Sequence, residues 1–229
     1  MPQEKGFAHL PIIIIVLIIV VLGAIFALGA RQDRELAKTC PDPLTLSTPV
    51  DLTLVTSILY PGQIRGGDFK RHGGFRFDNS KNDEVEVRAP IDSVLVAASR
   101  YLEEGEVQYL LDFETNCGIK FRFDHILALG PKLAQLTESL PEPKEHDSRT
   151  TGIEKVELAE GDVIATAVGF EKTENVFVDF GVYEDNSMFQ APNANALCWF
   201  DLLTAEDETK VKNFPPADGQ SGKTSEYCK

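Results

Sequence analysis

The segment Ile119-Lys120-Phe121-Arg122-Phe123-Asp124-His125 alternates apolar and charged side chains, with Ile119, Phe121, Phe123 and His125 on one face. Successive side chains of a β-strand point to opposite faces of a sheet, so this alternation predicts a half-buried strand. Alternation or a short apolar run recurs in Glu84–Arg88, Ile91–Ala98, Glu106–Glu114, Val163–Val168 and Asn175–Tyr183. Many short strands separated by turn residues predict an all-β fold, an antiparallel β-sandwich or barrel, over residues 50–204.

Other stretches of the chain predict different local structure. Residues 31–49 contain prolines and no steady period, which is typical of a linker. Val50–Val55 alternates and predicts a further strand, whereas Leu127–Leu140, interrupted by Gly130-Pro131, predicts one short helix. Residues 205–229 are first acidic and then rich in Pro, Gly and Ser, which predicts a flexible tail unless Cys228 fixes its end.

The chain begins with a short flank, residues 1–9, followed by a long apolar run. Residues 10–30 are 21 consecutive uncharged residues. At ~1.5 Å per residue a helix of that length spans roughly 30 Å, the thickness of the hydrocarbon core of a bilayer. A cleaved signal peptide is the alternative, but its apolar core is usually only ~7–15 residues and follows a more basic flank. We therefore expect a retained single-pass transmembrane helix that anchors the protein in the cell membrane.

The net charge bounds the partners of the body that follows this anchor. The chain carries a formal charge of -14, and residues 1–30 hold only one acidic and one basic residue, so the whole excess lies after Ala30. A phosphate backbone attracts a basic surface, so an acidic body argues against a nucleic-acid partner. For the same reason the body is not expected to lie on anionic lipid.

The chain has four cysteines, Cys40, Cys117, Cys198 and Cys228, and all of them follow the apolar run. An even number of widely spaced cysteines fits disulfides in an oxidising compartment, which places the body outside the cytoplasm. Charge counting around the span favours the opposite orientation. Because the ends of a domain often lie close together, a Cys40–Cys228 bridge with a Cys117–Cys198 bridge is one possible pairing. Buried free thiols are the alternative.

Arg65–Asn79 is a glycine-rich stretch that predicts a tight loop and carries His72 and Asp78. A histidine and an aspartate a few residues apart can bind a metal or exchange a proton. The plainer interpretation is that His72 only stabilises a turn. Farther along the chain, Asp179 lies among apolar residues, so it needs a partner such as a metal, His72, Arg71 or Arg76.

The order of motifs from residue 60 to 185 resembles the lysostaphin/LytM-type zinc endopeptidases, which share the duplicated hybrid motif fold. The motifs are the glycine-rich loop with His72, the strand Phe123-Asp124-His125-Ile126, the turn Leu158-Ala159-Glu160-Gly161-Asp162-Val163-Ile164-Ala165, and the strand Phe177-Val178-Asp179. The resemblance implies that His72, Asp78 and Asp179 are metal ligands and that His125 is catalytic. Asp78 lies six residues after His72, farther than in the family pattern, and Phe177 replaces a histidine.

These departures bear on the activity that the resemblance implies. Zinc accepts carboxylate oxygens, so a site of one histidine and two aspartates could hold zinc or another divalent metal. Phe177 cannot act as an acid or base, and losing such a group costs typically about 10²–10⁴-fold in rate. An alternative role for His125 is to pack against Phe121 and Phe123 at the end of a strand.

Three functions follow from these patterns. We expect a membrane-anchored extracytoplasmic domain that resembles a metallopeptidase, with altered or lost catalysis. The first alternative is an active metal-dependent cell-wall endopeptidase that hydrolyses peptidoglycan cross-links, with His125 as base. The second is a non-catalytic module that binds a peptide, such as a cell-wall peptide, or a protein partner.

Overall fold

The alternating segments form long neighbouring strands in the structure, which is a computed structural model describing residues 40–184 and 195–229. Strands β6, β7 and β8 follow one another as an antiparallel meander. The strands are β1 Ser57–Leu59, β2 Gln63–Arg65, β3 Asp68–Lys70, β4 Gly73–Arg76, β5 Val87–Arg88, β6 Ser93–Glu103, β7 Glu106–Glu114, β8 Ile119–Leu129, β9 Thr151–Leu158, β10 Val163–Val168 and β11 Phe177–Glu184. The predicted all-β class is confirmed.

One large sheet holds most of these strands. Its order is β1-β4-β11-β8-β7-β6-β9, with β10 beside β8 and β5 beside β10, and the paired strands run antiparallel. The β2–β3 hairpin forms a second sheet of its own. Short helices complete the described part of the chain: the 3₁₀ helices Asn82–Glu84 and Trp199–Leu202, and the α-helices Leu136–Ser139 and Ala205–Asn213.

Aromatic side chains fill the core between the middle of the sheet and residues that follow it. Phe123 stacks on Phe180 at 4.8 Å between ring centroids, which joins β8 to β11. Phe180 also contacts Trp199, which is fully buried. Aromatic pairs in these geometries add to the stabilisation that burial of their large apolar surface already provides. The core therefore fixes β11 and β8, the two strands that carry Asp179 and His125.

Val50–Val55 is not a strand, so that prediction is wrong. The side chain of Asp51 accepts hydrogen bonds from the backbone N–H and the hydroxyl of Thr53, at 2.8 and 2.7 Å. The backbone N–H of Leu54 also donates to the carbonyl of Asp51. An aspartate that bonds the chain two residues on closes a turn, and here that local bonding overrides the alternating pattern.

The single helix predicted over Leu127–Leu140 is also wrong. Strand β8 continues to Leu129, and the helix is limited to Leu136–Ser139. The backbone N–H of Gly130 donates to the carbonyl of Ile164, so the chain stays paired with β10 beyond the end of β8. Pairing with a neighbouring strand, which is remote in sequence, decides the structure of this segment.

The glycine-rich stretch Arg65–Asn79 is not one loop. It contains the turn and second strand of the β2–β3 hairpin and then β4, which pairs with β1 on one side and β11 on the other. His72 therefore lies between two strands, at the entry of β4. Asp78 follows the other end of β4.

The ends of the compact unit differ from the predicted boundaries. The unit starts at Cys40, and Leu46, within the predicted linker, is buried and donates its backbone N–H to the carbonyl of Leu202. At the other end, residues of the predicted tail form the helix Ala205–Asn213, with Thr204 as its N-cap.

The predicted anchor at residues 10–30 lies outside the described residues. In the part of the chain that is described, no helix is both long and apolar enough to cross a membrane.

All four cysteines form disulfides, as predicted, but in a different pairing. Cys40 bonds Cys117 and Cys198 bonds Cys228, with Cα–Cα distances of 5.4 and 4.9 Å. The Cys40–Cys228 bridge, which the sequence left as one possible pairing, does not form, because each terminal cysteine lies beside an internal one. Cys228 nevertheless fixes the C-terminal end of the chain, beside the short helix that starts at Trp199.

Peptide mapping of the oxidised protein should recover this pairing. We expect one cross-linked fragment that contains Cys40 with Cys117 and another that contains Cys198 with Cys228, because only these pairs lie within bonding distance. Non-reducing digestion followed by mass spectrometry measures both. A fragment that joins Cys40 to Cys228 would contradict the described arrangement of the chain ends.

Candidate functional site

A cleft of about 370 Å³ opens where the β2–β3 hairpin faces the end of β6, the middle of β8 and the start of β11. His72, His125 and Asp179 line its floor, and Phe177 lies beside them. These residues come from three segments that are far apart in sequence. Three of the four site residues predicted from the sequence therefore meet in one place.

Asp179 lies in the middle of the large sheet, with neighbouring strands on both sides. Its backbone is paired with Gly74 of β4 and with Asp124 of β8. The side chain of Asp179 is only 12% exposed. A Cβ on Gly74 would lie 2.5 Å from the carbonyl oxygen of Val178 and 3.1 Å from Oδ1 of Asp179. Glycine is needed at this position because β4 passes so close to Asp179.

Both histidines approach the same carboxylate oxygen. Nε2 of His72 lies 2.9 Å from Oδ2 of Asp179, which is a hydrogen-bonding distance. Nε2 of His125 lies 3.7 Å from that oxygen, and its Nδ1 lies 3.8 Å from Oε2 of Glu103. The sequence-based expectation that Asp179 needs a partner is satisfied by His72.

The charges around Asp179 determine its ionisation. Burial by itself raises the pKa of this carboxyl. His72 at hydrogen-bonding distance, and after it His125 and Arg65, lower the pKa by more than burial raises it, so the net pKa is well below the usual range. Burial also lowers the pKa of the Arg65 guanidinium, against the opposing influence of Asp179 and Asp218. Asp179 is therefore a carboxylate under physiological conditions.

The stability contributed by Asp179 should depend on pH. Its folded-state pKa lies below its ordinary value of 3.8, so the contribution is fully present above that pH and is lost as pH falls toward the folded-state pKa. We expect the difference in unfolding free energy between wild type and Asp179→Asn to shrink as pH is lowered to about 3. Urea unfolding of both proteins across this range measures it. A difference that stays constant with pH would show that Asp179 has an ordinary pKa.

A backbone irregularity turns His125 toward the cleft. Regular alternation would place its side chain on the core face with Phe121 and Phe123, as the sequence predicts. Instead β8 contains an irregularity between the pairs Tyr109–Ile126 and Leu111–Phe123, and His125 has a φ of 62°. Such left-handed backbone is uncommon for residues other than glycine. A bulge of this kind redirects a side chain, and in this protein it brings the imidazole to Asp179.

Asp124 and Tyr101 hold this irregular backbone in place. Oδ1 of Asp124 accepts a hydrogen bond from the backbone N–H of His125 at 2.8 Å. The same oxygen accepts a hydrogen bond from the hydroxyl of Tyr101 at 2.6 Å. Burial, reinforced by the nearby negative charge of Asp124, raises the pKa of Tyr101 far above its usual value, so the phenol remains a donor. Tyr101 and Asp124 are thus positioning groups for His125.

Asp78 is not brought to the other predicted metal ligands. Its Oδ2 accepts a hydrogen bond from the hydroxyl of Thr56 at 2.7 Å, and its Oδ1 accepts one from Arg76 at 3.1 Å. Gly74, not Asp78, is the residue that pairs with Asp179. Asp78 lies four residues after Gly74, which at ~3.3 Å per residue of strand is a separation of about 13 Å. The physical reason is that the predicted loop is the extended strand β4, which carries Asp78 away from His72.

Phe177 occupies one side of the cleft and packs on His125. The two rings are 4.7 Å apart between centroids, and Phe177 also lies under the guanidinium of Arg76 at 5.9 Å. An aromatic ring in this place limits the movement of the His125 imidazole but cannot accept or donate a proton. Position 177 therefore contributes an apolar surface to the cleft and no acid–base group.

The metal implied by the resemblance does not fit the residues present. Its proposed ligands are His72, Asp78 and Asp179, and Asp78 is bonded elsewhere. His72 and Asp179 are hydrogen-bonded directly to each other. Over residues 40–184 and 195–229, no group of three or more His, Cys, Asp or Glu side chains has an arrangement that could hold a metal ion. We therefore derive no chemistry through zinc from this set.

Sequence reasoning missed the polar residues on the rim of the cleft. Arg65 and Lys70 enter it from the β2–β3 hairpin, and Glu103 and Ser148 from the opposite side. Arg65 and Lys70 lie in the glycine-rich stretch Arg65–Asn79. The high density of cationic side chains in that stretch could have indicated that some of them line the site. Nothing in the local sequence indicates that Glu103 or Ser148 lies near His125.

Comparison of the chain with family models, with curated proteins and with solved structures finds no match.

Proposed function

We propose that this protein is a membrane-anchored, extracytoplasmic module that binds a peptide or a protein partner in the His72–Asp179–His125 cleft without hydrolysing it. The hydrogen bond between His72 and Asp179 is the observation that carries the proposal. It uses two of the three implied metal ligands for each other, while Asp78 is bonded to Thr56 and Arg76. The cleft remains open, and it is lined by side chains of both charges and by the aromatic ring of Phe177.

The chemistry of the cleft suits a peptide. Its rim offers cationic donors on Arg65 and Lys70 and a carboxylate on Glu103, and Phe177 offers an apolar surface. Binding sites for organic ligands combine an apolar lining with a few placed polar groups of this kind. Disulfides persist in oxidising compartments, so the bonded cysteines support a location outside the cytoplasm. The uncharged run at residues 10–30 supports the anchor.

The test combines binding and cleavage on the same sample. The full-length protein in detergent is incubated with a fluorescent pool of hexapeptides that have free C-terminal carboxylates. We expect a rise in anisotropy at a protein concentration of about 1 mM or below, and unchanged peptide masses after long incubation. Cleavage of the pool by the wild type, but not by His72→Ala, would contradict the proposal, as would an absence of binding.

An active metal-dependent cell-wall endopeptidase is the second candidate. It is favoured by the approach of both His72 and His125 to Oδ2 of Asp179. If it were correct, the purified protein would hold zinc or another divalent ion, and both His72→Ala and Asp179→Ala would abolish binding of that ion. Elemental analysis of the three proteins distinguishes this candidate from the binding module.

A further inference from the structure

The β2–β3 hairpin is a two-stranded ribbon beside the cleft. Gly66 and Gly67, with φ of 58° and 90°, form the turn that joins its strands. Positive φ at both central residues is the mark of a type I′ turn, in which the flanking residues Arg65 and Asp68 form a hydrogen-bonded pair. The next pair, Ile64 and Phe69, is then a non-hydrogen-bonded pair. Its backbone N–H and C=O groups point outward, away from the partner strand.

One edge of this ribbon is covered and the other is open. The carbonyl of Ile64, on the β2 edge, accepts a hydrogen bond from the hydroxyl of Ser221 at 2.8 Å. The side chain of Gln63 donates to the carbonyl of Gly222, also at 2.8 Å. On the β3 edge, no described residue outside the β2–β3 ladder forms a backbone hydrogen bond with Phe69, whose N–H and C=O point away from β2 in a non-hydrogen-bonded pair. An open strand edge of this kind is a template for adding another strand.

The open edge also carries exposed apolar surface. Ile64 is 64% exposed and Phe69 is 45% exposed, and they are two of the three large apolar side chains that are exposed in the described part of the chain. They are cross-strand neighbours on one face of the ribbon, where the ring of Phe69 lies 6.0 Å from that of Tyr227. Contiguous apolar side chains at an exposed position are typical of binding surfaces.

The opposite face of the ribbon carries positive charge into the cleft. Arg65 and Lys70 line the cleft from this face. Nη2 of Arg65 donates to the carbonyl of His72 at 3.0 Å, while its Nη1 has no partner among the described residues. Nζ of Lys70 is 3.5 Å from Asp68, which is a weak contact. The cleft also contains the carboxylates of Glu103, Asp124 and Asp179, so its positive charge is confined to the hairpin side, where these two donors can bind a carboxylate.

We propose that an extended peptide binds by adding a strand to the open edge of β3, with a carboxylate of the peptide against Arg65 and Lys70. This inference rests on the proposed function and specifies how the peptide is held. The backbone of Phe69 forms hydrogen bonds with the peptide backbone, and the apolar face of Ile64 and Phe69 contacts alternate peptide side chains. The chain continues from β3 to His72, so the added strand ends in the cleft.

Phe69→Pro is the variant that tests strand addition. Proline removes the backbone N–H, and it is tolerated on an exposed edge where that N–H has no internal partner. We expect peptide binding by Phe69→Pro to be weaker than that of wild type by at least about tenfold, which corresponds to the loss of one backbone hydrogen bond. Phe69→Ala is the matched control, since it shortens the same side chain and keeps the N–H. Both variants lose the apolar contact of the ring, so the comparison that isolates the N–H is between them: Phe69→Pro should bind about tenfold more weakly than Phe69→Ala.

The same peptide pool as above provides the probe, in three forms: unmodified, N-methylated at alternate residues, and amidated at the C-terminus. The N-methylated pool should lose binding to the wild type, which tests the edge even if Phe69→Pro fails to fold. Amidation should weaken binding to the wild type, and it should weaken binding to Lys70→Gln by less, because that variant keeps only Arg65 as a partner for the carboxylate. If the pool binds but Phe69→Pro and N-methylation leave the affinity unchanged, strand addition is wrong while the binding function stands. If no pool binds, both are wrong.

Discussion

Replacing Asp179 with alanine is expected to lower the free energy of unfolding by about 1–3 kcal/mol, the usual cost of leaving a buried hydrogen-bonding group without its partner. The carboxylate is 12% exposed, lies between two strands in the middle of the sheet, and is bonded to His72. Its removal leaves Nε2 of His72 without its hydrogen-bond partner and Arg65 without a neighbouring negative charge. Chemical denaturation at neutral pH measures the change.

Asp78→Ala is the control for this substitution. Asp78 is a carboxylate of the same type, but its side chain is 52% exposed and its bonds to Thr56 and Arg76 lie near the surface. Exposed pairs contribute only about 0–1 kcal/mol, so the loss should be small. Equal losses for the two variants would mean that Asp179 is not the buried centre of the charge cluster.

Gly74→Ala is expected to destabilise the fold by about 3 kcal/mol or more, at or above the upper end of typical overpacking effects. The added Cβ would lie 2.5 Å from the carbonyl oxygen of Val178 and 3.1 Å from Oδ1 of Asp179. The first of these atoms belongs to the backbone of β11 and cannot rotate away. β4 must therefore move away from β11, which also separates His72 from Asp179. Thermal and chemical unfolding measure the loss.

Gly152→Ala is a matched substitution in another strand of the same sheet. Gly152 lies in β9, and a Cβ added there meets no atom within 4 Å. Its stability should be unchanged or rise by at most about 1 kcal/mol, because alanine restricts the unfolded chain. A Gly74→Ala protein as stable as Gly152→Ala would contradict the close approach of β4 to Asp179.

The sequence predicts the strands well wherever side-chain burial alone decides the structure. Val163–Val168 has the predicted bounds, and the alternation in Glu106–Glu114 matches β7. Prediction from the sequence fails where a local or long-range hydrogen bond decides the structure of a segment. Asp51 turns the chain in a segment with strand-like alternation, and the bond from Gly130 to Ile164 keeps a helix-like segment next to β10. The partner of each cysteine depends on such long-range geometry as well.

The candidate site could be predicted only in part for the same reason. His72, His125 and Asp179 were identified by residue type and order, and the structure brings them together. Asp78 is implied as a ligand only by the resemblance, and the extended strand β4 between His72 and Asp78 keeps the two residues apart. The orientation of His125 depends on a bulge held by Asp124 and Tyr101, and no period in the sequence indicates that bulge.

The most direct test of the central claim compares peptide binding by His72→Ala and Asp78→Ala. If the cleft around His72 and Asp179 is the functional site and Asp78 lies outside it, Asp78→Ala binds the hexapeptide pool like wild type. His72→Ala should then bind about tenfold more weakly, a loss of ~1.4 kcal/mol of binding free energy. Fluorescence anisotropy of the pool with each full-length variant gives both values. Equal weakening by the two substitutions would contradict the claim, because it would place Asp78 in the same site as His72.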